Sequence, residues 1–156
     1  MRSKRLRFRL GVFLVLSASQ AGAEIMCLSS KKANVREGAG TEYPVAWVAD
    51  QYTPFKVLSW DGEWVNVKDV DGDAGWAHQS VLSSDPCVIV AGKRANVRSG
   101  AGLEHEVLWE VERGYPFKVL RRQGDWLQVT DGDKVEGWIF KKLMWGNTQL
   151  EESEEY

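Results

Sequence analysis

Hydrophobic and polar residues alternate with a period close to two along two neighbouring stretches of the chain. Residues 55–58 are FKVL, in which Lys56 separates Phe55 from Val57. Residues 65–68 are VNVK, in which Asn66 separates the two valines. This spacing predicts β-strands that each bury one face. Asp61-Gly62 lies between the two stretches and predicts a tight hairpin turn. The one helical signal is a single turn at residues 79–82, so the pattern predicts a fold of short strands.

The same pattern occurs twice. The segment 33–42, ANVREGAGTE, returns at 95–104 as ANVRSGAGLE, an offset of 62 positions (33 to 95). At that offset and without a gap, PFKVL at 54–58 returns at 116–120. Matches in one register over this length indicate a duplicated unit of about 60 residues. We expect about five short strands in each unit, closed into a small barrel, so the predicted fold class is all-β.

Tryptophan is frequent, with eight residues among 156. Both units share three tryptophan positions, which are Trp47 with Trp109, Trp64 with Trp126, and Trp76 with Trp138. A barrel of this size has a small core, and one buried indole removes ~150–250 Å² from water. We therefore expect the shared tryptophans to fill the two cores.

The order of these motifs resembles the bacterial SH3 domain, also written SH3b. The matching pieces are NVREG at 34–38, GEW at 62–64 and GW at 75–76 in the first unit, and NVRSG at 96–100, GDW at 124–126 and GW at 137–138 in the second. A short turn that ends in leucine follows each copy, and the likeness covers residues from about 25 to 144. The resemblance implies two tandem small SH3-like β-barrels. It also implies an exported binding module of a kind that often directs wall-cutting enzymes to peptidoglycan peptides.

The amino terminus has the three-part pattern of a secretory signal. A basic stretch at residues 2–9 is followed by an apolar run at 10–16 and by the small residues 21–23. This order predicts a signal peptide at 1–23 with cleavage near Ala23; an uncleaved amphipathic amino terminus is the alternative. The apolar run is shorter than the ~20 residues of a spanning helix, so no stable membrane insertion is expected.

Cleavage divides the rest of the chain into three parts. We expect a first SH3b-like barrel at 24–83, a second at 84–146, and an acidic disordered tail at 147–156. The mature protein is then expected to be periplasmic or secreted, in a compartment where disulfides persist.

Charge separates the basic amino terminus from an acidic remainder. The chain has 20 basic and 22 acidic residues, and five of the bases lie in residues 2–9. The remainder therefore has 15 bases (20 minus 5) against 22 acids, a balance of −7. Nucleic acid requires a basic surface, and anionic lipid attracts one, so neither is an expected partner.

Cys27 and Cys87 are the two cysteines of the chain. Cys27 precedes the first predicted strand of the first unit and Cys87 follows its last strand, so a closed barrel should bring them together. A disulfide there would contribute ~4 kcal/mol on the chain-entropy model. A free or intermolecular thiol is the main alternative. Catalysis is a weak one, because a nucleophilic cysteine needs a histidine partner and only His78 and His105 exist.

No residue pattern predicts a cofactor, a metal centre or an enzyme. Two histidines in different units do not make a zinc site of three or four ligands. Residues 69–73, DVDGD, superficially resemble a calcium loop, but glycine is fourth where the loop requires it sixth. A solvated hairpin turn is the better interpretation, and a weak calcium site is the alternative.

Differences between the copies suggest where a ligand binds. Tyr43 aligns with His105, Tyr52 with Gly114 and Trp60 with Arg122, so these aromatic residues are not required to build a barrel. We expect a groove in the first unit formed by Tyr43, Trp47, Tyr52 and Trp60, with Asn34 and Arg36 at its edge. The alternative for Arg36 and Arg98 is a pairing with nearby carboxylates that holds the glycine-rich loop.

The expected function is binding without catalysis. The leading hypothesis is an exported module that recognises peptidoglycan peptides or a cell-envelope protein. The alternative is a structural scaffold that holds envelope proteins together without binding wall polymer. The ligand, the number of barrels that bind, their relative orientation and the oligomeric state stay open at this level.

Overall fold

The computed structural model describes residues 23–150. The predicted signal peptide, apart from Ala23, and residues 151–156 of the predicted tail lie outside the described residues. Between residues 23 and 150, no helix has the length and apolar character needed to cross a membrane.

The first barrel contains seven strands. They are β1 (Ile25–Leu28), β2 (Lys32–Arg36), β3 (Val45–Asp50), β4 (Pro54–Asp61), β5 (Trp64–Lys68), β6 (Ala74–His78) and β7 (Leu82–Ser83). They pair antiparallel in the order β3-β2-β6-β5-β4-β1-β7, with a 3₁₀ turn at Gln79–Val81 before β7. The number of strands exceeds the expected five because β1 and β7 are too short to show an alternating pattern.

The second barrel repeats this arrangement. Its strands are β8 (Cys87–Val90), β9 (Arg94–Arg98), β10 (Val107–Glu112), β11 (Pro116–Gln123), β12 (Trp126–Thr130), β13 (Glu136–Phe140) and β14 (Met144–Gly146). The order is β10-β9-β13-β12-β11-β8-β14, and a 3₁₀ turn occupies Lys141–Leu143. The all-β prediction with two tandem units is confirmed.

Each sheet encloses its own hydrophobic core. In the first barrel the buried cluster takes residues from all seven strands, from Leu28 in β1 to Leu82 in β7. A flat sheet does not place all its strands around one cluster, so the sheet must curl. A β-bulge between Val57 and Ser59, repeated between Val119 and Arg121 in the second barrel, bends the long strand and assists the curling.

The cores are not centred on tryptophan, and this expectation is wrong for most of the indoles. The largest fully buried side chains are Phe55 in the first barrel and Phe117 in the second. Trp64, Trp76 and Trp126 are only half-buried, and Trp138 is the one tryptophan that is buried. The reason is the strand period: Trp64 is adjacent to the buried Val65, so its side chain lies on the opposite face.

A disulfide joins Cys27 and Cys87, whose Cα atoms are 5.9 Å apart. Cys87 begins the first strand of the second barrel, within the predicted unit 84–146, whereas Cys27 lies inside β1 instead of preceding the first strand. The bridge therefore connects the equivalent strands β1 and β8 of two barrels. This placement follows from the linker, which is only residues 84–86, between β7 and β8.

Residues 147–150, assigned from the sequence to the tail, lie along the second barrel. The Asn147 amide donates to the Cys87 carbonyl oxygen over 2.8 Å, and Leu150 packs against the second core.

Candidate functional site

An arginine holds the glycine-rich loop of each barrel. We call residues 37–44 and 99–106, between the second and third strands of each barrel, the glycine loops. Arg36 Nη1 donates to the carbonyl oxygens of Thr41 at 3.2 Å and Tyr43 at 2.8 Å. Arg98 does the same in the second barrel. The arginines therefore hold the loops, as one alternative expected, but through backbone carbonyls and not carboxylates.

A flat ring covers a glycine in each loop. A Cβ atom on Gly38 would lie 2.4 Å from the Tyr43 ring, and one on Gly100 would lie 2.6 Å from the His105 ring. Tyr43 and His105 therefore share a structural role, although the comparison of the copies had treated the position as free of one. The loop conformation depends on a glycine beneath a planar side chain.

Beside its glycine loop the second barrel has a groove of about 420 Å³, which we call the loop groove. It is lined by Asn96, Arg98, Leu103, Glu104, Trp126, Phe140 and Leu143. The Trp126 and Phe140 rings form an aromatic floor, with centroids 5.4 Å apart and planes inclined by 48°. Leu103 is 77% exposed, so its side chain is accessible to a ligand. An aromatic floor with polar groups at the edge is typical of a ligand site.

Glu104 lines the loop groove, and Lys142 lies near one of its lining residues. The Glu104 side chain is exposed, with Oε1 3.4 Å from His105 Nε2. Lys142 Nζ lies 6.0 Å from the centroid of the Phe140 ring. The groove therefore has a carboxylate in its lining and an ammonium near its Phe140 ring.

The same surface of the first barrel has different chemistry. The equivalent positions, 62 residues earlier, are Asn34, Arg36, Thr41, Glu42, Trp64, His78 and Val81. Trp64 and His78 meet edge to face, with centroids 5.3 Å apart. His78 Nδ1 lies 2.7 Å from Ser80 Oγ. Threonine for leucine and histidine for phenylalanine make this surface more polar than the loop groove.

Tyr43 and Tyr52 are not brought together. They flank the six residues of β3 at opposite ends, and at ~3.3 Å per residue the strand alone spans roughly 16 Å. Tyr52 has a positive φ of 67°. Its side chain lies against Gly132 of the second barrel, and a Cβ atom added to Gly132 would be 3.1 Å from the Tyr52 hydroxyl. Tyr52 therefore belongs to the contact between the barrels.

Trp47 and Trp60 lie on strands β3 and β4, outside the glycine loop itself. Trp47 packs against the margin of the first core, and its ring would be 3.2 Å from a Cβ on Gly75. Trp60 is 48% exposed near the end of β4 and pairs with Val65. Among the six predicted residues, Asn34, Arg36 and Tyr43 belong to β2 and the glycine loop that follows it, and Trp47 lies opposite Val35 of β2 on the neighbouring strand.

The aromatic floor of Trp126 and Phe140 was not predicted from the sequence. The sequence predicts Trp126 for the core, Leu143 figures there only as the leucine that ends the turn, and no pattern points to Phe140 or Leu103. The signal that could have found Trp126 is the alternation of β12, in which Leu127 and Val129 are buried and the residues between them are not. A bulky residue at an outward position of a strand is available for binding.

Family comparison agrees with this architecture. The model of the bacterial SH3 domain matches residues 29–84 and 91–146. The chain belongs to the bacterial SH3 domain family. The match contains both copies of the glycine loop, so each barrel is an SH3 domain.

One curated relative is the candidate N-acetylmuramoyl-L-alanine amidase YrvJ of Bacillus subtilis (strain 168). It is 34% identical over 65 residues, which is 42% of this chain and 12% of that protein. The chain therefore spans a small part of the relative it matches.

Solved structures give weaker similarities. An NlpC/P60 family protein from Bacillus cereus ATCC 10987 has a TM-score of 0.39 and 14% identity, over 78% of this chain and 55% of that one. The endolysin LysPBC5 CBD has a TM-score of 0.30 and 15% identity, over 79% and 93%. At TM-scores this low these similarities support neither a fold nor a function.

One aspartate in each SH3 domain closes a turn with its side chain. Asp69 Oδ1 accepts hydrogen bonds from the amides of Asp71 and Asp73, both at 2.9 Å. This carboxylate closes the 69–73 turn, as the hairpin interpretation predicts. Within residues 23–150, no group of three histidine, cysteine, aspartate or glutamate residues is placed to hold a metal ion.

Asp131, the equivalent of Asp69, has an added partner in the second SH3 domain. The Tyr115 hydroxyl donates to Asp131 Oδ2 over 2.7 Å. Burial first, and then this hydrogen bond, raises the pKa of Tyr115 to about 12. Burial alone would raise the pKa of Asp131, but hydrogen bonds from Tyr115 and from backbone amides outweigh it, so the pKa lies below its usual value. The pair stabilises the turn.

Proposed function

We propose that the chain is a non-catalytic binding protein of the bacterial cell envelope that recognises peptidoglycan peptides or a wall-associated protein. The observation that carries the proposal is the loop groove, with its floor of Trp126 and Phe140 and its exposed Leu103. A groove of this kind binds by stacking and burial of apolar groups, which needs no reacting side chain.

The chemistry of the groove favours a short peptide. The aromatic floor and Leu143 accept an apolar side chain. Asn96 can both donate to and accept from a peptide backbone. Glu104 and Lys142 are complementary to an ammonium and a carboxylate, and peptidoglycan stem peptides carry both groups.

The cell-wall assignment is supported by the family and by one relative. Bacterial SH3 domains imply exported binding modules, and the relative YrvJ is named as a candidate amidase of an N-acetylmuramoyl-L-alanine bond. The predicted signal peptide at 1–23 agrees with a periplasmic or secreted location. We assign a weaker, more polar version of the same site to Asn34 beside the first glycine loop, which Arg36 and Tyr43 hold.

Sedimentation of the full chain with purified sacculi tests this function. The chain offers its own matched variant, because Leu103→Thr, Phe140→His and Leu143→Val copy the first barrel into the second. We expect binding to weaken about tenfold, since truncating one anchoring side chain of an interface costs more than ~1 kcal/mol.

Two control variants accompany the transplant. The reverse exchange, Thr41→Leu with His78→Phe and Val81→Leu, should strengthen binding by the first barrel. Trp60→Ala removes the exposed indole of the β4–β5 hairpin and should leave binding unchanged, because Trp60 lies outside the groove. Equal sedimentation of the groove variant and the unmodified chain would contradict the proposal.

A scaffold that holds envelope proteins is the second candidate function. It is favoured by the edge strand β10, where Val107, Leu108 and Trp109 are consecutive and each more than 40% exposed. A β-bulge between Val107 and Trp109 interrupts the pairing with β9, and the three exposed side chains give this edge an apolar surface. No sedimentation with sacculi, together with a binding defect toward an envelope protein in Leu108→Ser, would favour the scaffold.

A further inference from the structure

A cation covers one tryptophan of the second barrel. Arg121 Cζ lies 5.4 Å from the centroid of the Trp138 ring, within the range of a cation–π contact. Trp138 is only 8% exposed as a result of this cover and its neighbours. The two residues lie in one cross-strand row, because Trp138 pairs with Gln128 and Gln128 pairs with Arg121.

The first barrel has the same row without the cation. Trp76 pairs with Asn66, and Asn66 pairs with Ser59, which occupies the position of Arg121. A serine side chain is too short to reach over the indole. Trp76 is accordingly more exposed than Trp138. Among residues 23–150, the guanidinium cover of Trp138 thus has no counterpart over Trp76.

From this difference we propose that the outer face of Trp76, bordered by Asn66 and Ser59, is a binding site for the primary ammonium group of a peptide ligand. The second barrel contains an internal occupant of the equivalent site, the Arg121 guanidinium. The amide of Asn66 and the hydroxyl of Ser59 can accept hydrogen bonds from the ammonium. The site stands on the first barrel alone and does not require the loop groove to bind the wall.

The charges around the site permit a cation. Arg36 pairs with Trp76 on its other side, but Arg98 occupies the same position next to Trp138, where Arg121 is accommodated. A neighbouring guanidinium therefore does not exclude a cation from the ring face. Residues 24–83 contain nine acids and five bases, a balance of −4, so the first barrel attracts cations at long range.

Nuclear magnetic resonance of the full chain, with ¹⁵N-labelled tryptophan, tests the inference. The probe is Nα-acetyl-lysine amide at millimolar concentration, and Trp76→Phe assigns the indole signal. We expect a saturable shift of the Trp76 indole N–H. The same compound acetylated on Nε has no ammonium and should cause at most about one fifth of the effect.

Exchanging Ser59 and Arg121 between the barrels gives one variant that should block the site on Trp76 and one that should create a site on Trp138. Ser59→Arg copies the internal occupant into the first barrel and should abolish the Trp76 shift. Arg121→Ser removes it from the second barrel and should create a new shift at Trp138. Both substitutions use a residue that the fold already accepts at the equivalent position. Thermal melting of each variant checks that the barrel is intact.

The outcomes are distinguishable from those of the sacculus experiment. A Trp76 shift that persists in Ser59→Arg, or that the Nε-acetylated probe causes equally, would overturn the ammonium site. No shift of Trp76 in the unmodified chain would overturn it as well. None of these results depends on Leu103 or Phe140, so the proposed binding function of the loop groove is tested separately.

Discussion

Arg113 of the second barrel forms an ion pair with Asp71 of the first, with 2.8 Å between Nη2 and Oδ1. The equivalent of Arg113 is Gln51, whose Nε2 donates to the Ser29 carbonyl oxygen. Arg113 makes the corresponding bond through Nη1 to the Ala91 carbonyl oxygen. Its longer side chain leaves Nε and Nη2 to reach across the boundary to Asp71. One substitution between the copies thus added a contact between barrels.

Replacing Arg113 by its counterpart tests the worth of this contact. Arg113→Gln should keep the bond to Ala91 and lose the ion pair. Both side chains are about half exposed, so the free energy of unfolding should fall by less than ~1 kcal/mol. Urea denaturation at low and high salt measures it. A double-mutant cycle with Asp71→Asn provides the control, and additive effects would contradict a direct pair.

The disulfide should contribute far more to stability than the ion pair. Cys27 and Cys87 are 60 positions apart, and a loop of that length corresponds to ~4 kcal/mol on the chain-entropy model. Reduction, or Cys27→Ser with Cys87→Ser, should lower the free energy of unfolding by about that amount, as measured by urea denaturation. Mass spectrometry of alkylated protein is the direct check. Two alkylated thiols in protein purified under oxidising conditions would exclude the bridge.

Stability should fall at alkaline pH because of Tyr115. Its pKa is raised from 10.0 to about 12 in the folded state. A raised pKa means that the protonated phenol stabilises the fold fully below pH 10, and this contribution is lost as the pH rises toward 12. The free energy of unfolding should therefore decrease across that window.

Tyr115→Phe is the matched control for the alkaline effect. Phenylalanine keeps the ring that packs against Phe117, with centroids 4.9 Å apart, and removes only the hydroxyl bonded to Asp131. We expect the variant to lose ~1 kcal/mol at neutral pH and to have a shallower decline between pH 10 and 12. Identical pH profiles for the two proteins would refute the assignment.

Two glycines should respond unequally to alanine. A Cβ on Gly137 would lie 2.6 Å from the Arg98 carbonyl oxygen, which is backbone and cannot move without disturbing the sheet. A Cβ on Gly38 meets the Tyr43 ring, which is exposed enough to rotate away. Gly137→Ala should cost about 3 kcal/mol or more and Gly38→Ala about 1 kcal/mol. Adding Tyr43→Ala should relieve the second cost; equal costs in thermal melts would contradict this reasoning.

The tryptophans show which features of the fold could be predicted from the sequence and which could not. The alternation around Trp64 already places its side chain opposite the buried Val65, and this could have been predicted. The difference between Trp76 and Trp138 could not, because it depends on Arg121 or Ser59 two strands away. Cross-strand neighbours are set by register, and no local pattern reveals them.

Tyr52 shows the same limit of prediction from the sequence for the candidate site. Tyr52 differs between the copies, and in the structure its side chain lies against Gly132 of the second barrel. An aromatic residue freed from one barrel can serve the contact between barrels as well as binding. Only the relative placement of the two barrels distinguishes these roles.

By itself, the sequence determined the duplication, the strands and the all-β class. Those properties reside in the spacing of residues along the chain, which local geometry translates into turns and alternating faces. The tertiary structure decided that valine and phenylalanine fill the cores, that Cys87 bridges two barrels, and that Trp126 forms a groove with Phe140. These depend on the curling of the sheets and on contacts between distant segments, for which sequence spacing carries no information.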